Sequence, residues 1–233
     1  MNLIFDVDDT LYDLMKPFND TYYSLFGDKY DIPVEQLYKK NRQYSDEVFE
    51  LVQSGRMTVK EMHIYRISKA FESFGIIITE EEALNFQSEY LLNQDKIVVF
   101  DGMKHILDFA KSCNLNMGII TNGIKEHQMK KIKSLKLENW IEEENIFVSA
   151  DFSLPKPHSE IFKFAEKKMN LDPNETYYIG DTFENDVVGA KNAGWNSIWI
   201  NRRNSEQPLE SKYSPDYVVK NDQELLKIIK ELI

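Results

Sequence analysis

Near its beginning the chain reads Leu3-Ile4-Phe5-Asp6-Val7-Asp8-Asp9-Thr10-Leu11-Tyr12, where three apolar residues lead into three carboxylates and a threonine. A short apolar run that is closed by polar residues predicts a buried strand ending in a loop. Asp6 and Asp8 would lie at the end of this strand and in the loop after it. Because ligands of open α/β sheets bind outside the carboxyl ends of the strands, this loop is the first candidate for a functional site.

The close spacing of Asp6 and Asp8 indicates that a cation lies between them. Like charges at this separation are unfavourable unless something positive offsets them. A small hard ion such as Mg²⁺ prefers carboxylate oxygens as ligands. A solvated acidic turn is the alternative for an Asp-x-Asp pair taken alone, so the rest of the chain has to decide between the two.

Size and charge limit the classes of function. With 233 residues, the chain is long for one compact domain and suits a core domain with a smaller second one. Its hydrophobic fraction of 42% is sufficient for buried cores. The net charge of −11 argues against a polymeric nucleic acid as partner, because no general basic field is available. Phosphate chemistry would therefore need a local site with its own positive charge.

The single cysteine and the absence of long apolar runs bear on the compartment. Cys113 cannot form an internal disulfide, and its amphipathic surroundings predict an inert core thiol in a reducing compartment. Met1 and Asn2 run straight into the predicted strand, which leaves no room for a signal peptide, and no apolar run approaches the length of a membrane span. These features predict a cytoplasmic protein with no membrane partner.

Residues 14–95 differ in character from the rest of the chain, because their apolar residues recur at helical spacing. The short run Ile76-Ile77-Ile78 is the one candidate strand in this region. We therefore predict a helical domain over 14–95, inserted into an α/β core domain that 1–13 and 96–233 form together.

Two capping boxes predict where helices begin in this insertion. Thr58 is followed three residues later by Glu61, and Thr79 is followed by Glu82 at the same distance. In this arrangement each threonine side chain accepts a hydrogen bond from the backbone N–H of the third helical residue, and the glutamate carboxylate accepts one from the threonine backbone N–H.

Beyond Val98, predicted strands alternate with helices of roughly ten to fifteen residues. The strands are predicted over 116–120, 146–149, 176–179, 197–200 and 217–219. This alternation predicts a Rossmann-like, doubly wound parallel sheet that helices cover on both faces.

The segments between these strands are also assigned from their patterns. A lysine-rich amphipathic helix is predicted over 124–137, with Ile132 and Leu135 facing inward and the lysines solvated. A loop is predicted over 150–157, and a polar surface loop over 201–215.

Polar residues of useful types stand at the ends of four predicted strands or in nearby loops. They are Asp6, Asp8 and Thr10; Thr121 and Asn122; Lys156; and Asp181 and Asp186. A doubly wound sheet would bring all four sets to one edge.

Taken together, these residues resemble the motifs of the haloacid dehalogenase (HAD) superfamily. The matching segments are Asp-Val-Asp-Asp-Thr at 6–10, Ile-Ile-Thr-Asn-Gly at 119–123, Lys156-Pro157, and Gly180-Asp181 followed by Asp186. They occur in the expected order and cover the predicted core domain, and the helical insertion is similar to the C1-type cap of that superfamily.

The resemblance implies a phosphatase with an aspartate nucleophile. Phosphate monoesters hydrolyse extremely slowly in water, so the site must supply a large stabilisation. A carboxylate nucleophile splits the reaction into two easier displacements through an aspartyl phosphate, and the family implies Asp6 for this role. Asp8, two residues on, would be the general acid for the leaving alcohol and later the general base for the attacking water.

The resemblance also implies a Mg²⁺ cofactor. Asp6, the backbone carbonyl of Asp8 and Asp181 would hold the ion, which offsets repulsion between the nucleophile and the phosphate dianion. Asp186 is expected either to support the waters of the metal or to orient the lysine of the site.

The phosphoryl group would meet a second set of residues. Thr121 and the amides near Asn122 are expected to bind its oxygens, and Lys156 to supply the fixed positive charge that a site full of carboxylates needs. Thr10 is expected to support the site.

Two other classes of function compete with a phosphatase. A hydrolytic 2-haloacid dehalogenase uses the same aspartate nucleophile without a metal, but it has no alkoxide to protonate and needs neither Asp8 nor an Asp181–Asp186 pair. A binding module that retains the fold without catalysis is the third alternative. Intact acidic residues in all four motifs favour the phosphatase.

The substrate is predicted to be a small phosphorylated metabolite, with a nucleotide as the specific candidate. Within the phosphatases the chain looks most similar to pyrimidine 5′-nucleotidases, on the segments 119–123, 156–162 and 41–66. The alternative is a phosphatase of phosphoglycolate or a sugar phosphate. Candidate contacts in the helical domain are Asn19, Asn41, Arg42, Arg56 and Arg66, whereas a core role is favoured for Tyr22, Tyr23, Tyr38, Tyr44 and Phe49.

Overall fold

Six parallel strands form one sheet in the computed structural model, which describes residues 1–152 and 155–233. The strands are β1 (Asn2–Phe5), β2 (Asn116–Thr121), β3 (Ile146–Val148), β4 (Thr176–Gly180), β5 (Asn196–Ile200) and β6 (Tyr217–Val219). Their order across the sheet is β3-β2-β1-β4-β5-β6, with parallel pairing throughout. The chain reverses its direction of winding at β1, so the predicted doubly wound α/β class is confirmed.

Ten α-helices accompany the sheet in the part of the chain that is described. They are α1 (Lys16–Phe26), α2 (Val34–Glu47), α3 (Phe49–Gln53), α4 (Val59–Glu72), α5 (Glu80–Gln94), α6 (Asp101–Ser112), α7 (Lys125–Ser134), α8 (Ser159–Met169), α9 (Val188–Ala193) and α10 (Asp222–Leu232). A π-helical turn, Phe183–Val187, leads directly into α9.

The strands are mostly apolar, because helices bury both faces of a parallel sheet. Ile4 and Tyr178 are fully buried in a cluster to which α8 contributes Phe162 and in which Trp195 also lies. The Phe162 ring packs edge-on against Tyr178 and Trp195, with ring centroids 5.1 and 5.5 Å apart. This packing holds β4 and α8 in a fixed relation behind the carboxyl edge of the sheet.

Contacts divide the chain into two units, one of Met1–Asp13 with Val98–Ile233 and the other of Leu14–Ile97. The second unit is the helical one, and its core is rich in aromatic residues. The Phe18 ring packs edge-on against Phe86 at 5.0 Å, and Phe26 packs edge-on against Phe71 at 5.2 Å.

Both predicted capping boxes are present. Thr58 accepts from the backbone of Glu61 at the start of α4, and Thr79 accepts from the backbone of Glu82 at the start of α5. The predicted strand over Ile76–Ile78 is wrong: this run belongs to no strand, and the described part of the helical unit contains none with which it could pair.

Several further expectations need correction. Cys113 is exposed rather than buried, because it lies at the last turn of α6 on the solvent side. The lysine-rich helix α7 ends at Ser134, before the left-handed residue Lys136, although Ile132 and Leu135 are buried as predicted. The predicted loop over 150–157 includes residues 153 and 154, which lie outside the described residues.

No helix among the described residues has both the length and the apolar character that crossing a membrane requires.

Candidate active site

The carboxyl ends of β1, β2 and β4 bring the predicted polar residues to one edge of the sheet. Phe5 pairs in register with Ile119 on one side and Ile179 on the other. The backbone N–H of Asp6 continues this ladder by donating to the Ile179 carbonyl at 2.9 Å. Asp6 therefore occupies the point where the winding of the sheet reverses, with Asp181 two residues beyond its ladder partner.

Lys156 is buried at this edge with three oxygens around its ammonium group. Its Nζ donates to Asp6 Oδ1, Asp186 Oδ1 and Tyr178 Oη, each at 2.7 Å. Burial alone would lower the pKa of Lys156, but the carboxylates of Asp186 and Asp6 raise it well above its usual value. A buried ammonium whose three donors are all satisfied is a fixed positive charge.

The side chain of Asn122 holds the backbone of Lys156 in place. Its Nδ2 donates to the Lys156 carbonyl at 3.0 Å, and its Oδ1 accepts from the Lys156 N–H at 2.9 Å. Thr121, one residue earlier, is buried at the end of β2. Because both polar atoms of the Asn122 side chain bind the Lys156 backbone, Asn122 positions the loop that carries this lysine.

Three carboxylates form a group that could hold a metal ion. Asp6, Asp181 and Asp186 each offer an oxygen, and these atoms lie within 4.8 Å of one another. Burial raises the pKa of Asp6 to about 7, although Lys156 opposes the shift. Burial, with Asp186 and Asp6 nearby, raises the pKa of Asp181 to about 8. The buried ammonium of Lys156 alone does not balance this much negative charge, so an oxygen-liganded divalent cation such as Mg²⁺ fits the donor set.

Asp186 is placed by the turn that follows β4. Its Oδ2 accepts from the Thr182 N–H at 2.9 Å while Oδ1 receives the Lys156 ammonium. A Cβ at Gly180 would overlap the Asp186 carboxyl group, so only glycine leaves room for it. The π-helical turn Phe183–Val187 carries the aspartate, and such turns occur often at functional sites.

The Asp8 carboxylate lies against a different set of donors. Oδ1 accepts from Tyr12 Oη at 2.5 Å and from Lys131 Nζ at 2.7 Å. Oδ2 accepts from Lys131 Nζ at 2.7 Å and from Gln128 Nε2 at 3.2 Å. Burial would raise the pKa of Asp8, but Lys131 and the other donors outweigh it, and the pKa is lowered.

Lys131 and Gln128 are site residues that sequence reasoning missed. The lysines of α7 were expected to be solvated, but the Lys131 side chain is only 22% exposed and contacts Asp8. Their spacing of three residues on a helix beginning just after the β2 loop was the available signal, because such a pair shares one face of the helix.

Thr10 is fully buried beside these aspartates. Its Oγ1 makes no hydrogen bond to any of the described residues. Its backbone carbonyl lies 3.5 Å from Arg202 Nη2.

A cavity of about 230 Å³ adjoins Asp181. Part of its lining comes from the segment 201–215, which the sequence predicts to be a polar surface loop. Arg203 lines it and binds both carboxylate oxygens of Asp9 at 2.9 and 3.0 Å. Arg202 stacks over the Phe100 ring at 4.5 Å and pairs with Asp222. The segment after β5 therefore belongs partly to the edge of the site, which its polar composition alone did not reveal.

The candidates in the helical unit differ in their surroundings. Arg66 donates to Gln87 at 2.8 Å, and burial lowers the pKa of this guanidinium. Asn41 is buried, and its Oδ1 has no partner among the described residues. Arg42 and Arg56 are exposed, and Asn19 is half-buried.

The aromatic residues of the helical unit also differ in how far they are buried. Tyr22 and Tyr38 belong to the buried aromatic core, as predicted, and Tyr44 packs against this core. Tyr23 and Phe49 are exposed.

Comparison with known proteins identifies relatives of this chain. A model described as haloacid dehalogenase-like hydrolase matches residues 3–200. Glyceraldehyde 3-phosphate phosphatase of Methanocaldococcus jannaschii is 34% identical over 122 residues, which are 52% of this chain and 52% of that protein. Pyrimidine 5′-nucleotidase YjjG of Escherichia coli is 31% identical over 117 residues, which are 50% of each. The chain thus spans about half the length of these curated relatives.

Solved structures match nearly the whole chain, and one of them also has a similar sequence. The putative HAD-hydrolase YfnB of Bacillus subtilis, in a magnesium-bound form, has a TM-score of 0.69 and 25% identity, and the match covers 98% of this chain and 97% of that one. Since the family model extends from the first strand through β5 and includes every predicted site residue, this chain belongs to the haloacid dehalogenase-like hydrolases.

Proposed function

We propose that this protein is a Mg²⁺-dependent phosphomonoester hydrolase that works through an aspartyl phosphate on Asp6. The observation that carries the proposal is the contact of Asp6 with the buried Lys156 ammonium, in a group with Asp181 and Asp186. A nucleophile, a fixed positive charge and oxygen ligands for a cation thus meet at the reversal point of the sheet. The relatives named as a phosphatase and as a 5′-nucleotidase support the same reaction class.

We assign different roles to the two carboxylate oxygens of Asp6. Lys156 occupies Oδ1, so we assign Oδ2 as the atom that bonds to phosphorus while the bond from phosphorus to the leaving oxygen breaks. Asp8 in its protonated form gives a proton to that oxygen, the alcohol departs, and Asp8 is left as a carboxylate. Asp8 then takes a proton from water, whose oxygen attacks phosphorus and releases inorganic phosphate and the Asp6 carboxylate.

The remaining residues stabilise charge and fix positions. Asp6, Asp181 and the Asp8 backbone carbonyl would hold Mg²⁺, with Asp186 orienting Lys156 at 2.7 Å. When bound, Mg²⁺ supplies positive charge that offsets repulsion between carboxylates and a phosphate dianion. Thr121 and backbone N–H groups near Asn122 would bind phosphoryl oxygens, because the Asn122 side chain is already used by the Lys156 backbone.

For the substrate we propose pyrimidine nucleoside 5′-monophosphates such as UMP and dTMP. The similarity to pyrimidine 5′-nucleotidase YjjG over half of each chain supports this. A specific observation favours a second candidate, glyceraldehyde 3-phosphate: a phosphatase of that compound is 34% identical over a similar length.

A side-by-side assay of phosphate release decides between them. UMP, dTMP, glyceraldehyde 3-phosphate, phosphoglycolate and a hexose phosphate are compared by kcat/KM, with saturating Mg²⁺ and with excess chelator. We expect the pyrimidine nucleotides to lead and the activity to vanish with chelator. A tenfold or greater preference for one of the other three compounds would exclude the nucleotidase assignment and leave the phosphatase standing. Halide release from a 2-haloacid without metal would instead indicate the dehalogenase.

A further inference from the structure

We propose that Lys131 and Gln128 are positioning residues that aim the Asp8 carboxylate for proton transfer. The inference rests on the proposed function, in which Asp8 exchanges a proton with the leaving alcohol and then with water. It gives the face of α7 that carries these two side chains a role in the reaction.

The contacts of Asp8 define its orientation closely. Lys131 binds both carboxylate oxygens at 2.7 Å, and Tyr12 binds Oδ1 at 2.5 Å. The side chains of Lys131 and Asp8 are only 22% and 25% exposed, so solvent screens this ion pair less than a pair on the open surface. Two charge-assisted bonds and one hydroxyl bond leave the carboxylate little freedom to rotate.

Gln128 connects this carboxylate to Asn122, the residue that follows β2. Its Nε2 donates to the Asn122 carbonyl at 2.8 Å and to Asp8 Oδ2 at 3.2 Å, and the side chain is 4% exposed. The reverse orientation of the amide would place Oε1 against two oxygens, so the donors fix which way it points. Gly123 allows this approach, because a Cβ there would lie 2.6 Å from Gln128 Nε2.

The contact of Gln128 with Oδ2 is the longest of the four, so Oδ2 is the oxygen held least strongly. We assign proton transfer to this atom. Lys131 also donates to Oδ2 at 2.7 Å, and this contact is given up when Oδ2 carries a proton. Oδ1 then keeps its bonds to Tyr12 and Lys131, while Oδ2 gives its proton to the departing oxygen and later takes one from water. A salt bridge that only stabilised the fold would not distinguish between leaving groups, and this difference makes the proposal testable.

The experiment compares two substrates that differ in their need for a proton. p-Nitrophenolate leaves readily without protonation, whereas the phenolate of phenyl phosphate depends more on an acid. In Lys131→Met, which keeps the length of the side chain and removes its charge, we expect kcat/KM for phenyl phosphate to fall by about 100-fold. The value of kcat/KM for p-nitrophenyl phosphate should fall by less than about threefold. The time course of p-nitrophenol release should begin with a burst, because hydrolysis of the aspartyl phosphate is slowed.

Controls separate this result from a general loss. Lys133→Met changes an exposed lysine on the same helix and should leave both substrates unaffected. Lys131→Arg, which also binds a carboxylate through two donors, should recover most of the phenyl phosphate activity. If Lys131→Met does not fold, as judged by thermal unfolding, Gln128→Met is assayed in its place with the same expectation.

Equal losses for the two substrates in a folded variant would overturn the inference, and so would faster turnover of phenyl phosphate. Either result would leave the phosphatase itself intact, because the wild type would still hydrolyse both compounds. A wild type that hydrolyses neither compound with saturating Mg²⁺ would instead remove the proposed function.

Discussion

Asp6 illustrates how one residue in this chain depends on its neighbours for reactivity. Its side chain is buried, Lys156 holds one of its oxygens at 2.7 Å, and Asp186 shares the same ammonium. Burial raises the pKa of Asp6 to about 7. The carboxylate is therefore poised to titrate near neutral pH, where a cation or a phosphoryl group determines its charge.

The residue-scale prediction is that Asp6→Asn abolishes turnover and preserves the fold. The amide keeps the shape of the side chain but is a poor nucleophile, so we expect kcat to fall by at least about 10³-fold. Steady-state phosphate release measures the loss, and thermal unfolding checks the fold. Asp28→Asn is the matched control, since Asp28 is exposed in the helical unit. Activity within tenfold of the wild type in a folded Asp6→Asn would remove Asp6 from the mechanism.

At the scale of elements, the turn after β4 places two of the three clustered carboxylates. Trp199 Nε1 donates to the Asp181 carbonyl at 2.7 Å, and the Thr182 N–H donates to Asp186. β5 and the π-helical turn therefore position Asp181 and Asp186 through the backbone, independently of any ligand.

This geometry predicts the effect of adding one methyl group at Gly180. Gly180→Ala would drive a Cβ into the Asp186 carboxyl group, and we expect it to destabilise the fold by about 1–3 kcal/mol and to reduce activity. Urea unfolding measures the first effect. In an Asp186→Ala background the same change should cost much less, because the overlapping group is gone. An equal cost in both backgrounds would show that the overlap is not the cause.

At the scale of the whole molecule, the clustered carboxyl groups of the site make the stability of the fold depend on pH and on bound metal. The folded pKa values of about 7 for Asp6 and about 8 for Asp181 lie above the ordinary value of 3.8. Between about pH 4 and pH 8 the folded chain therefore binds protons that the unfolded chain releases. Because the unfolded state binds fewer protons in this window, these groups make the metal-free protein less stable as the pH rises.

The corresponding prediction is that Mg²⁺ raises Tm more at pH 8 than at pH 5. At the lower pH, protons compete with the cation for Asp6 and Asp181, whereas at the higher pH the cation relieves their repulsion. Thermal unfolding with and without saturating MgCl₂ measures the difference, and Asp181→Asn should diminish it. A Mg²⁺ shift that is the same at both pH values, or absent, would contradict a metal site built on these carboxylates.

Local pattern predicted much of the architecture. The strands, both capping boxes and the buried residues Ile132 and Leu135 were predicted from period and spacing, because hydrogen bonds and burial within one element follow sequence neighbours. The run Ile76–Ile78 shows the limit of this logic. Apolar β-branched residues favour a strand, but a strand also needs a partner, and the described part of the helical unit offers none.

The contents of the site were only partly predictable for the same reason. Asp6, Thr121, Lys156 and Asp181 were recognised because each follows a predicted strand or belongs to a motif in the expected order. Lys131 was not, since it is one lysine among several on a helix, and only its contact with Asp8 in the loop after β1 distinguishes it.

The sequence by itself therefore determined the doubly wound class, the membership of the family and the set of acidic residues at one edge of the sheet. Only the tertiary structure decided which cation meets which carboxylate: Lys156 with Asp6 and Asp186, Lys131 with Asp8, and Arg203 with Asp9. The physical reason is that strands and helices follow from short-range periodicity. These ion pairs instead join residues 30 to 194 positions apart, and such contacts exist only once the sheet has assembled.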